Sequence, residues 1–133
     1  MPHPFTACLL VGSGGLVGSL ARYGLSLAAQ RFSLDWPIGT LAANTLGCFL
    51  IGVLAEAAAR GQGLSPEARL LLATGFCGGF TTLSSLVYEA VQMLKAGDTF
   101  HASFYLGGTI LFSMVAFLGG VLLVKLIQKS TGV

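Results

Sequence analysis

Charge is what this sequence has least of: 9% of its 133 residues are Asp, Glu, Lys or Arg, against about 25% in soluble domains. That shortage excludes an ordinary water-soluble globule. Its three cysteines, Cys8, Cys48 and Cys77, are odd in number and lie on different apolar segments. They support neither a disulfide framework nor a zinc site and read as small buried hydrophobes. His3 and His101 stand near segment ends without ligand-like spacing, as interfacial polar residues do. No Lys or Arg precedes Arg22, so the positive start of a secretory signal is missing and the first segment is expected to be retained. The cluster Gly12, Gly14, Gly15 and Gly18 is no dinucleotide fingerprint, because Val17 breaks the spacing and no strand precedes it. No nucleophile, base or metal cluster has a workable arrangement, so neither an enzyme nor a nucleic-acid partner is expected.

What the chain does have is apolar length. It is 54% hydrophobic, with a mean hydropathy of +0.83. Uncharged runs at residues 4–21, 36–55, 70–88 and 99–124 each approach or exceed the roughly 20 apolar residues that cross a bilayer core. The expected fold is an all-α integral membrane protein, one domain over residues 1–133, with four transmembrane helices near 4–29, 36–59, 67–95 and 99–127. Between them, charges collect with Pro66 and with Gly61, Gly63 and Gly97, as turn signals should.

With four spans, Arg60, Arg69, Lys125 and Lys129 share one side, and Arg22, Arg31 and Lys95 the other. Lys and Arg in short loops set orientation, and four against three supplies little orienting force. One explanation is a chain that inserts both ways and pairs antiparallel with itself; the other is a chance balance in a short protein. Small residues recur at helical spacing, as in Gly14 with Gly18, Gly39 with Ala43 and Gly47, and Ala116 with Gly120. They let helices approach closely.

The third segment carries Gly75-Phe76-Cys77-Gly78-Gly79-Phe80-Thr81-Thr82, where glycines and threonines weaken a helix. This predicts a helix broken mid-membrane, the alternative being a helix packed closely through its glycines. Backbone freed in hydrocarbon must be satisfied by protein or a polar cavity, and such breaks often bind ions. Freed carbonyls suit an alkali cation; freed N–H groups suit an anion. Thr40 and Asn44 stack on one face of the second helix, and Tyr105, Thr109 and Ser113 on one face of the fourth. Thr82, Ser84 and Ser85 add hydroxyls after the expected break. Asp35, Glu56, Glu67, Glu89 and Asp98 are assigned to loops or helix ends, leaving the span centres neutral. Proton-coupled transport usually needs an intramembrane ionisable relay, so neutral donors favour passage of a small anion. Arg22 reads either as a vestibule that attracts anions or as an anchor whose head snorkels to the interface.

Three stretches in order, Gly14-Gly15-Leu16-Val17-Gly18-Ser19-Leu20-Ala21-Arg22, Gly39-Thr40-Leu41-Ala42-Ala43-Asn44 and the 75–82 motif, resemble the Fluc (CrcB) fluoride channels. The resemblance covers essentially the whole chain. It implies an antiparallel, dual-topology homodimer in the inner cell membrane, with two pores for passive fluoride export that relieves toxicity. It also implies a structural sodium ion on the dimer axis, held by backbone oxygens of Gly78 and Thr81. The family's polar track maps onto Asn44, Ser84, Ser85, Tyr105, Thr109 and Ser113, with Thr40 one turn before Asn44, and its helix-end arginine onto Arg22. Leu83 and Leu86 depart from the family, which has pore phenylalanines there. They leave open a degenerate subunit that needs a related partner chain. A proton-coupled exporter of the small multidrug type is a more distant reading, since it requires a central carboxylate.

Overall fold

The computed structural model describes residues 2–33, 36–59 and 64–131. Asp35, Arg60, Gly61 and Gly63, used above as charge and turn signals, lie outside the described residues. The architecture among those residues is all helical. Helix α1 spans Pro4–Gln30 and α2 spans Ile38–Ala59. The third segment begins with α3 (Pro66–Arg69), winds as a π-helix over Leu70–Cys77, and continues through α4 (Gly78–Phe80) and α5 (Leu83–Lys95). Helix α6 covers Thr99–Thr131. Four stretches, Pro4–Gln30, Ile38–Ala59, Pro66–Lys95 and Thr99–Ser130, are long and apolar enough to cross a membrane.

Local signals explain the boundaries. Pro66 opens α3 behind Ser65, whose hydroxyl accepts the Ala68 N–H at 3.1 Å; proline at the first helical position loses no helical bond. Gly97, with φ of 83°, turns the chain between α5 and α6. Asp98 then caps α6 by accepting the His101 N–H at 3.1 Å. The His101 ring contacts the same carboxylate at 2.6 Å, and Trp36 meets it edge-on at 5.3 Å between centroids. Aromatic and polar residues gathered at helix starts are what a membrane–water boundary favours.

The interior is inverted relative to a soluble protein. Most buried positions are small or polar, such as Gly14, Gly18, Thr40, Ala43, Asn44, Gly47 and Thr109, while Leu16, Leu20, Leu111, Leu118 and Leu122 face outward. Lipid offers no hydrophobic drive to bury leucine, so close backbone packing and hydrogen bonds hold such bundles. Helix α1 lies along the π-helical stretch and α4, and α2 along α6. At the first crossing a Cβ on Gly18 would meet the Phe76 carbonyl oxygen and lie 2.9 Å from the Phe80 nitrogen. At the second, a Cβ on Gly52 would meet the Phe117 carbonyl oxygen.

Within the 75–82 motif, the third segment leaves its helix only at the last two residues. Winding persists through Phe80, and the chain is extended only at Thr81 (φ −86°, ψ 157°) and Thr82 (φ −154°, ψ 121°). Gly75 and Gly79 act as contact surfaces: a Cβ on Gly75 would lie 2.8 Å from the Val11 carbonyl oxygen, and one on Gly79 would strike that of Gly15. The intrinsic weakness of glycine in a helix is thus outweighed by the packing it permits against α1.

Candidate ion pathway

The site is built around the extended pair. Thr81 folds back on the preceding turn, its N–H and its hydroxyl both donating to the Cys77 carbonyl at 2.9 Å. Gly47 of α2 leaves room for the Thr81 methyl, which a Cβ there would strike. Thr82 caps α5 by accepting the Ser85 N–H at 3.1 Å. Its backbone is held from α2: the Thr82 N–H donates to Asn44 Oδ1 at 2.7 Å and Asn44 Nδ2 donates to the Thr82 carbonyl at 3.0 Å. One amide side chain therefore satisfies both backbone groups of a residue that neither helix can serve.

Where α4 stops, the carbonyls of residues 78–81 fall outside the helical ladder, because a helix leaves its last four acceptors unfilled. Gly79 receives Arg22 Nε at 3.1 Å and Ser19 Oγ at 3.4 Å. Arg22 is half-buried and ties α1 to the end of α4. Gly78 is exposed, and a Cβ there would meet nothing within 4 Å.

Between α2, α5 and α6 runs an open groove of about 530 Å³. It brings together Asn44, Thr81, Leu83, Leu86, Thr109 and Ser113 from the sequence reading. Leu83 is 73% exposed and Leu86 is 4% exposed, so the two leucines share the groove while Leu86 also packs against Ala90 and Tyr105. Ser84 and Ser85 do not line it; both contact the Thr82 hydroxyl at 3.2 Å.

Thr40 and Tyr105 are placed otherwise than as a simple continuation of the track. Thr40 Oγ1 donates to Glu89 Oε1 at 2.8 Å and Tyr105 OH donates to Glu89 Oε2 at 2.6 Å. Glu89 lies within the third apolar stretch, before its end at Lys95, which corrects its assignment to a loop or helix end. Its position became visible only once α2 and α6 were seen to aim hydroxyls at it. A polar cleft of about 340 Å³ opens beside this trio, lined by Ser26, Gln30, Trp36, Thr40, Glu89 and Gln92. Alongside Ile110, Met114 and Leu118, the groove takes in two residues that the sequence reading did not assign to the pathway, Cys48, read there as a small buried hydrophobe, and Phe117. Continuing the two stripes by four residues, from Asn44 to 48 and from Ser113 to 117, would have found them.

The chain matches the family described as CrcB-like protein, Camphor Resistance (CrcB), over residues 9–121. It belongs to the CrcB-like family. Among curated CrcB-like relatives, the "Fluoride-specific ion channel FluC" of Chlorobium phaeobacteroides (strain BS1) is 46% identical over 95% of this chain and 98% of its own length. A protein of the same name from Prosthecochloris aestuarii is 47% identical over 94% of this chain and 98% of its own. One from Rhizobium johnstonii is 41% identical over 88% and 94% respectively. Family membership and four apolar helices together make this a multi-pass membrane protein.

Proposed function

We propose that this chain is a fluoride channel that lets fluoride leave the cell passively across the inner membrane, assembled as an antiparallel homodimer of dual insertion. The observation that carries the reading is the groove at the helix break. Its wall holds Asn44, Thr81, Thr82, Thr109 and Ser113 among apolar side chains. Neutral donors on a mostly apolar wall, the Ser113 hydroxyl and the second N–H of the Asn44 amide, can replace part of a small anion's hydration without trapping it as a fixed cation would. The relatives named fluoride-specific channels match nearly end to end, so the reading covers the chain as a whole.

The same break supports the dimer reading. On one chain, the carbonyls of Gly78 and Thr81 lie outside the helical ladder where α4 stops, and hydrocarbon could not satisfy them. A second, inverted copy would cover them and bring two sets of Gly78 and Thr81 carbonyls together. These oxygens lie outside the helical ladder and are the hard ligands an alkali cation prefers. A sodium ion bound there would hold the two breaks against each other by neutralising converging carbonyl dipoles. The near-tie of Lys and Arg across the two sides supports dual insertion.

Fluoride efflux from liposomes containing only this purified chain tests the function. Flux faster than from empty vesicles and exceeding chloride flux is expected. No flux would instead favour a subunit that needs a related partner, a reading motivated by the aliphatic Leu83 on the groove wall. Labelling single cysteines at residues 61–65 should find both membrane sides accessible; one accessible side would end the antiparallel homodimer.

A further inference from the structure

Most polar groups lining the groove are already committed. The Asn44 amide donates one of its two N–H groups to the Thr82 carbonyl, the Thr81 hydroxyl donates to Cys77, the Thr82 hydroxyl to Ser85, and the Thr109 hydroxyl to the Tyr105 carbonyl at 2.7 Å. Among the described residues of the groove, this leaves Ser113 with the one hydroxyl not given to another protein atom. Phe117 lies four residues further along α6, so it stacks on the same face one turn beyond Ser113 and lines the same groove. It is the single aromatic residue among the groove's lining, where Leu83 and Leu86 present only aliphatic surface. An aromatic ring carries partial positive charge on its edge, which a partly dehydrated anion can use and an aliphatic side chain cannot offer.

We propose that Ser113 and Phe117 form an anion subsite at one end of the groove, the hydroxyl donating to fluoride while the ring edge faces it. In this chain the aromatic contribution comes from α6, and α5 contributes apolar wall. The position is fixed by packing: the Phe117 backbone carbonyl abuts Gly52 of α2, where any Cβ would clash, so the ring has a rigid base. Cys48, one turn beyond Asn44 on the facing helix, lines the same groove.

This subsite rests on the fluoride-channel reading, and the experiment separates the two. Purified wild type, F117L, F117Y and S113A are reconstituted, and fluoride and chloride efflux are measured for each, with elution in detergent as the check on folding. F117L should slow fluoride efflux about tenfold, as befits loss of one ring-edge contact. F117Y, which keeps the edge, should stay within about twofold of wild type, and S113A should slow fluoride more than chloride. Equal flux for F117L and wild type would overturn the subsite while leaving the channel intact. Equal loss in F117L and F117Y would overturn it too, by making the position a packing requirement. If F117L elutes abnormally, F117M replaces it under the same criteria. Absence of fluoride flux in the wild type would instead sink the channel reading.

Discussion

Replacing Asn44 with Ala removes both hydrogen bonds that hold Thr82, those of 2.7 and 3.0 Å. Thr82 is extended, so its N–H and carbonyl have no helical partner to fall back on. Leaving a buried polar group unsatisfied costs about 1–3 kcal/mol, or about 2–6 kcal/mol for the pair. Interhelical hydrogen bonds in membranes average nearer 0.6 kcal/mol, because the separated helices also find partners. For Thr82 that relief requires residues 78–86 to rewind as continuous helix, abandoning the packing of Thr81 against Gly47. The expected destabilisation therefore lies between the two limits, about 2–4 kcal/mol, or at least about 30-fold in the folding equilibrium. Equilibrium unfolding of the protein in mixed detergent reads this directly, and fluoride efflux reads the accompanying loss of the groove. A change below about 0.5 kcal/mol with flux intact would refute the claim that Asn44 holds the extended pair.

Gly18→Ala should be among the most damaging single-methyl additions, at about 1–3 kcal/mol or more, because the added Cβ meets Phe76 and Phe80 backbone; Gly24→Ala, opening on free space, should be neutral, and detergent stability compares them. Tyr105→Phe removes the 2.6 Å donor to Glu89 and should cost about 1.5–3 kcal/mol; the double variant with Thr40→Val should fall short of additivity, since both hydroxyls serve one carboxylate. At the α6 cap, hydrogen bonds from the His101 side chain and then its backbone N–H hold the Asp98 carboxyl below its ordinary range. A depressed carboxyl stabilises fully above its unfolded value and loses that contribution as pH falls through its folded one. Asp98→Ala should thus lower Tm at neutral pH, with the difference from wild type closing below about pH 4; a constant difference at all pH values would refute the assignment.

The sequence by itself determined the solvent and the layout. Four uncharged runs of spanning length leave no other architecture, because each must meet its own backbone hydrogen bonds in lipid. Helical periodicity also placed Thr40 with Asn44, and Thr109 with Ser113, on common faces, since a repeat of four residues needs only the helix to be read. Where the third segment leaves its helix was decided by tertiary structure. Propensity marked the glycines as weak points, yet α1 packs against Gly75 and Gly79 and keeps them helical, while Asn44 pulls the departure to Thr81 and Thr82. Glu89 is the sharper case. Counting from the nearest loop made it a boundary residue, whereas the hydroxyls of Thr40 and Tyr105, 49 and 16 residues away in sequence, make it part of the polar interior. A polar group's cost depends on which partners three-dimensional packing brings within reach, and no local pattern encodes partners that distant.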